Sequence, residues 1–178
     1  YWLHSGFLTI NGQKMSKSLG NFITVGDILK KYPAKALRFL FLSTHYRSPI
    51  DYKEEYLKQS EAAIQRIEEF INKLKNIKSR GENAETGPIT EEAKNDFERA
   101  LNDDFNTPQA LGSIFELIKK INPLIGGGGI DKKSAKNVLE FLEESNKILG
   151  IVQKSEKEIP KEITRLAELR ENLRQDKR

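Results

Sequence analysis

Hydrophobic and polar positions change their rhythm once along this chain, near Asn21. Before that point, Phe7-Leu8-Thr9-Ile10 is a short β-prone run, and Asn11-Gly12 behind it is the dipeptide that best suits a two-residue hairpin turn. A polar loop rich in Ser, Lys and Gly follows from Gln13 to Asn21. Beyond it, apolar residues recur at intervals of three and four, the period of amphipathic helices. Thr24 with Asp27 predicts a capped start for a helix from Val25 to about Tyr32. Pro33 suits the first position of a second helix through about Ser43. Its interior, Ala36-Leu37-Arg38-Phe39-Leu40-Phe41-Leu42, is apolar nearly all round, so it should be buried on several sides.

Asp51 and Glu54 read as a cap for a long helix to about Lys78, with Tyr56, Ala63, Ile64, Ile67, Phe70, Ile71, Leu74 and Ile77 on its apolar side. Ser79 to Pro88 is a polar connection. Thr90 is the expected cap of a helix holding Ala93, Phe97 and Leu101, and Asp103-Asp104-Phe105-Asn106 should turn the chain. Thr107-Pro108 restarts it as cap and first helical residue, with Ala110, Leu111, Ile114, Leu117, Ile118 and Ile121 along one face. Gly126 to Gly129 break that helix. Asp131 opens another, with Val138, Phe141, Leu142 and Leu149 inside and Gly150 as its stop. From Ile163 a thinner stripe, Leu166, Leu169 and Leu173, runs among many charges. The expected fold is therefore mainly α: a short β-hairpin and polar loop, then an antiparallel four-helix bundle.

Composition narrows the chemistry. The 178 residues include no cysteine and two histidines, so disulfides and Cys- or His-rich metal sites are not expected within the chain. No apolar run is long enough for a bilayer. A net charge of +4 permits a phosphate-bearing partner without requiring one. The first residue is Tyr1, and Met15, the single methionine, sits within a polar motif, so the sequence reads as part of a longer protein.

That polar motif, Lys14-Met15-Ser16-Lys17-Ser18, is the strongest chemical signal. Two ammonium groups three residues apart, two hydroxyls and a nearby Gly20 make a loop able to close over a triphosphate and neutralise a departing pyrophosphate. An ordinary solvated lysine loop would have the same residue types in arbitrary order. This order, followed by Leu19-Gly20-Asn21, resembles the KMSKS signature of class I aminoacyl-tRNA synthetases. Tyr1-Trp2-Leu3-His4-Ser5-Gly6, Thr44-His45-Tyr46-Arg47-Ser48-Pro49-Ile50-Asp51-Tyr52 and Asp103-Asp104-Phe105-Asn106-Thr107-Pro108 are similar to the cysteinyl-tRNA synthetases in particular.

The resemblance implies activation of cysteine by ATP with Mg, then transfer to tRNA(Cys), in the cytoplasm and without a membrane. It casts Lys17, supported by Lys14, as catalytic, with Lys14, Met15, Ser16, Lys17 and Ser18 as the ATP-binding loop. Residues 1–50 would close a Rossmann-like catalytic domain, 51–87 would link, 88–150 would form the anticodon-side bundle of DALR type, and 151–178 would begin a further anticodon-binding part. The family's HIGH-type motif and zinc site have no counterpart in this sequence, so zinc is expected in the full-length enzyme only and the chain alone is expected to be inactive. Two alternatives remain open: a cysteine–sugar ligase of mycothiol synthesis, which uses the adenylate but no tRNA, and a stand-alone RNA-binding helical module.

Several residues admit a plainer reading. His4 is either near the adenylate pocket or structural, and Trp2 is expected in the core. His45-Tyr46-Arg47 either touches the acceptor stem or braces the bundle. Asp103 and Asp104 are read as turn and cap residues, and Gly126 to Gly129 as a connector. Arg165, Arg170, Arg174, Lys177 and Arg178 either follow an RNA backbone or belong to a solvated helix.

Overall fold

The computed structural model describes residues 1–78 and 85–152. The expected readings at Ser79 to Ala84, in the helix from Ile163 and at the arginines beyond it lie outside the described residues. Strand β1 (Leu8–Ile10) turns through Asn11 and Gly12, at φ 50° and 75°, into β2 (Gln13–Lys14). Both turn residues take the left-handed conformation that a tight hairpin requires, and Asn and Gly are the residues that tolerate it. Helix α1 (Val25–Leu29) starts where expected, with the Thr24 side chain accepting from the Asp27 N–H. Helix α2 (Ala34–Leu42) follows, and Pro33, at ψ 145°, stands just before it rather than inside it.

Strand β3 (Ile50–Tyr52) was not expected. It pairs parallel to β1, with Leu8 opposite Ile50, Thr9 opposite Asp51 and Ile10 opposite Tyr52, giving a sheet of order β2-β1-β3. Asp51 therefore lies in a strand and does not cap the long helix. That helix, α3 (Glu54–Lys75), begins after Lys53 with Glu54 and Glu55 in its first turn, where their charges complement the helix dipole.

Helix α4 (Thr86–Asn102) starts earlier than the expected Thr90 cap. Pro88 sits in its first turn, where the missing N–H has no intrahelical carbonyl to lose. Thr90 is instead one turn in, its hydroxyl donating to the Thr86 carbonyl at 2.8 Å. Helix α5 (Thr107–Gly126) is capped by Asn106, one residue before the expected Thr107, through a 3.2 Å bond from the Gln109 N–H. Helix α6 (Lys132–Leu149) matches expectation: Asp131 accepts from the Lys133 and Ser134 N–H groups, and Gly150 ends it at φ 63°.

In the bundle, α3 packs on α5 and α6, and α4 packs on the same two, so α3 and α4 sit across a diagonal. Their shared core contains Ile64, Ile67, Phe70, Leu74, Phe97, Leu117, Ile121, Val138 and Leu149. A second, smaller core unites Ile28, Ala36, Leu37, Leu40 and Leu57. Helix α2 bridges the two. Its Ala36, Leu37 and Leu40 enter the smaller core, whereas Phe39 meets Phe115 of α5 edge-on at 6.3 Å. Lys35 on α2 also reaches Glu68 on α3 at 2.5 Å in a half-buried pair. Phe41 on the far side of α2 remains exposed, so this helix is covered on fewer sides than its sequence suggests.

Candidate functional site

The Lys14–Ser18 loop leaves the sheet at the end of β2, and its conformation is set by one amide side chain. Asn21 Oδ1 accepts from the Ser16 N–H at 2.8 Å, while Asn21 Nδ2 donates to the Lys14 carbonyl at 3.2 Å. A single residue thus ties the first half of the loop to its end. Ser16 Oγ and Ser18 Oγ lie 2.7 Å apart, and the Gly20 N–H closes a turn on the Lys17 carbonyl at 3.2 Å, with Gly20 at φ 67°. Met15 and Ser16 are half-buried, and Lys14, Lys17 and Ser18 are exposed.

Each lysine lies over an aromatic ring. Lys14 Nζ is 5.5 Å from the centre of the Phe7 ring, and Lys17 Nζ is 5.5 Å from that of Phe22. Both rings are themselves largely exposed. Among the described residues no ion pair joins either ammonium to a carboxylate. A ring face attracts a cation weakly at an exposed site, about 0.5–1 kcal/mol, so these contacts orient the lysines without neutralising them. The arrangement offers two cations and two hydroxyls to an anion.

The hairpin feeding the loop is held from β3. Asp51 Oδ1 accepts from the Gly12 N–H at 2.7 Å and from the Thr9 hydroxyl at 2.9 Å. The Gly12 and then the Thr9 hydrogen bond lower the carboxyl's pKa below the usual aspartate value. Neither Asn21 nor Asp51 was expected to support the loop. The sequence carried a local signal for Asn21, directly after Gly20, but none for Asp51, which meets Gly12 across 39 residues.

The segment after α2 braces the bundle. Arg47 Nε lies 2.6 Å from Asp104 Oδ2, Arg47 Nη2 donates to Asp104 Oδ1 at 3.1 Å, and Tyr46 Oη donates to the same Oδ1 at 2.7 Å. His45 stacks on Tyr46 with ring centres 5.0 Å apart. Arg47 first, then Tyr46, hold the Asp104 carboxyl below its ordinary range, and Asp104 in turn pushes the Tyr46 phenol up. Asp104 and Phe105 both sit at positive φ, 53° and 54°, in the turn between α4 and α5. His45-Tyr46-Arg47 is thus joined to the turn before α5, the contact that the bracing reading expects, and Asp104 does more than turn the chain.

At the other end of the sheet, the Gly6 N–H donates to the Tyr46 carbonyl at 2.7 Å, and a Cβ on Gly6 would lie 2.2 Å from the Ser48 carbonyl oxygen. Only glycine allows that approach. His4 is exposed, and Trp2, expected in the core, is 94% exposed, because no described element packs over it. Among the described residues no three His, Cys, Asp or Glu side chains are grouped to hold a metal. No helix among them is long and apolar enough to cross a membrane.

Comparison with known proteins places these features. Residues 1–62 match the family model described as tRNA synthetases class I (C) catalytic domain, and residues 96–153 match the DALR domain. The chain is 42% identical over 154 residues to the cysteine–tRNA ligase of Carboxydothermus hydrogenoformans, covering 85% of this chain and 33% of that protein. It is 45% identical over 150 residues to that of Thermodesulfovibrio yellowstonii, covering 80% and 30%. Against that of Oenococcus oeni it is 37% identical over 181 residues, covering 99% and 39%. The chain thus spans about a third of the length of the curated relatives it matches. Among solved structures, the ternary complex of Agrobacterium radiobacter K84 agnB2 LeuRS with tRNA and LeuAMS superposes at a TM-score of 0.63 and 18% identity, over 82% of this chain and 22% of that one, a likeness of fold. With its loop motif, a segment that matches the class I (C) catalytic domain and a segment that matches the DALR domain, this chain carries two domains of the kind found together in class I aminoacyl-tRNA synthetases.

Proposed function

We propose that this chain is the KMSKS-bearing and tRNA-facing part of a cysteine–tRNA ligase. In the first step, a cysteine carboxylate oxygen attacks the α-phosphorus of ATP and the bond to the bridging oxygen of pyrophosphate breaks. Negative charge grows on the leaving group as that bond lengthens. Lys17, with Lys14 beside it, neutralises that charge, and the Ser16 and Ser18 hydroxyls donate to phosphate oxygens. Preorganised charge aimed at a developing anion is worth far more in the transition state than in the ground state. Mg accompanies ATP on its phosphates. In the second step a terminal ribose hydroxyl at the 3′ end of tRNA(Cys) attacks the cysteinyl carbonyl of the adenylate and AMP leaves, in the cytoplasm, with α3 to α6 as the scaffold along which the tRNA lies.

One observation carries the reading: a hairpin-borne loop presents two lysines with no carboxylate partner among the described residues, inside the segment that matches the class I catalytic model. Among the described residues no side-chain group fits the zinc ion that the resemblance implies for the full-length enzyme, and no step here passes through it. Relatives named cysteine–tRNA ligase that match most of the chain favour tRNA as acceptor over an amino sugar. The test uses the full-length protein with cysteine, ATP and purified tRNAs. Cysteine-dependent pyrophosphate exchange and charging of tRNA(Cys) are expected; exchange without charging of any tRNA, and with transfer to an amino sugar, would contradict the proposal.

A further inference from the structure

A two-residue strand such as β2 has little stability of its own, so something else must fix where the Lys14–Ser18 loop begins. The hairpin ladder pairs Thr9 with Lys14 and Ile10 with Gln13, which leaves the turn residue Gly12 outside it. Its N–H points instead at Asp51 Oδ1, 2.7 Å away, and the Thr9 hydroxyl reaches the same oxygen at 2.9 Å. The other carboxylate oxygen, Oδ2, lies 3.7 Å from Lys53 Nζ. Hydrogen bonds to an ionised acceptor are short and about twice as strong as neutral ones. One side chain therefore holds both the turn and the strand that leads into it.

The position of Asp51 in the chain gives this contact its consequence. Asp51 is in β3, and only Tyr52 and Lys53 separate it from the first residue of α3, the long helix of the bundle. Tyr52 packs against the smaller core beside Leu57 of α3. The hairpin is thus fastened to the base of the helix on which the bundle is built. We propose that Asp51 is a positioning residue for the Lys14–Ser18 loop, fixing the turn from which the loop leaves to the strand that runs into α3. It touches no reacting atom; it sets where Lys14 and Lys17 stand when pyrophosphate leaves. The inference rests on the adenylate-forming role proposed above.

The experiment compares Asp51→Ala, Asp51→Asn and Thr9→Val in the full-length protein. Misplacing a catalytic group by about 1 Å costs up to ~10²-fold in rate. Asp51→Ala is therefore expected to lower kcat for pyrophosphate exchange by about 10- to 100-fold, with KM for cysteine unchanged. Transfer from preformed adenylate to tRNA should stay near wild type, a split that general unfolding would not produce. Asp51→Asn keeps an acceptor oxygen for the Gly12 N–H and should recover most of the rate, while Thr9→Val, losing one of the two bonds, should fall between. Exchange by Asp51→Ala within twofold of wild type would overturn the proposal. Amide hydrogen exchange at Gly12 and through the loop, measured on the same proteins, reads positioning without reference to activity. If the wild type forms no cysteinyl-adenylate, the functional reading fails, and unaltered protection at Gly12 in Asp51→Ala then overturns the positioning role separately.

Discussion

Phe70 stands where α3 meets the rest of the bundle, 1% exposed and in the same core as Ile67, Leu74, Phe97 and Phe141. Replacing it by alanine removes the ring and leaves a cavity that the surrounding core residues can only partly fill. Substitutions of this kind cost about 3–5 kcal/mol. Domains of this size hold about 5–15 kcal/mol in total, so the loss is a large share of the whole. With a urea slope of about 2 kcal/mol per molar, the unfolding midpoint of the chain should fall by about 1.5–2.5 M, at unchanged slope. Phe70→Asp should not fold, because a lone carboxylate would be buried in that apolar core with no partner. Ile148→Ala on the outer side of α6, 61% exposed, serves as the control and should shift the midpoint little. Urea titration followed by helical circular dichroism measures all three. A Phe70→Ala protein losing less than about 1 kcal/mol would refute the packing described for α3.

Three further outcomes follow from local chemistry. Asp131→Ala removes the acceptor for the Lys133 and Ser134 N–H groups at the start of α6 and should cost about 0.5–2 kcal/mol, read from the same urea titration. The Asp104 carboxyl is held below its unfolded value of 3.8 by Arg47 and Tyr46, so its contribution is complete above that value and is lost as pH falls through the lowered one. The melting difference between wild type and Asp104→Asn should therefore shrink on acidification below about pH 4. Asp27, hydrogen-bonded by the Thr24 hydroxyl and paired with Lys30, should titrate at about 2 when its carboxyl is followed by NMR, and α1 should gain nothing from it below that pH.

Features whose cause lies within a few residues were legible in the sequence. The Asn11-Gly12 turn, the Thr24 and Asp131 caps and the Gly150 stop each depend on the residue itself and its immediate neighbours. The apolar stripes of α3, α5 and α6 were legible for the same reason, since period alone defines them. Two misreadings arise because a residue's local preference is overruled, at Asp51 by a distant partner and at Thr107 by a neighbour with the same chemistry. Asp51 has the look of a helix cap, but parallel pairing with β1 puts it in a strand, and no periodicity reports a three-residue strand whose partner is 42 residues away. Thr107 is a good cap beside another, Asn106, which takes the position, whereas α4 begins at Thr86, a turn before Thr90, with no side-chain cap bond from Glu85. At the candidate site, the pentapeptide was legible as chemistry, whereas its supports were not. Asn21 and Asp51 act through hydrogen bonds, and Arg47 finds Asp104 across 57 residues. Trp2 has a core residue's composition but no described neighbour to bury it.

In the proposed reaction the Lys17 ammonium stabilises pyrophosphate as it leaves. The measurement is cysteine-dependent ATP–pyrophosphate exchange by wild-type and Lys17→Ala full-length protein, beside single-turnover transfer from preformed cysteinyl-adenylate to tRNA. Removing one preorganised contact to a developing charge lowers the rate about 10²–10³-fold, on the order of 3–4 kcal/mol. An interaction made only in the transition state lowers kcat and kcat/KM together, whereas uniform binding would raise KM for ATP with kcat unchanged. Lys17→Ala should slow exchange by that factor, leave affinity for cysteine unchanged, and keep transfer near the wild-type rate because pyrophosphate has already departed. Exchange by Lys17→Ala at the wild-type rate would contradict it and leave Lys17 an ordinary solvated lysine.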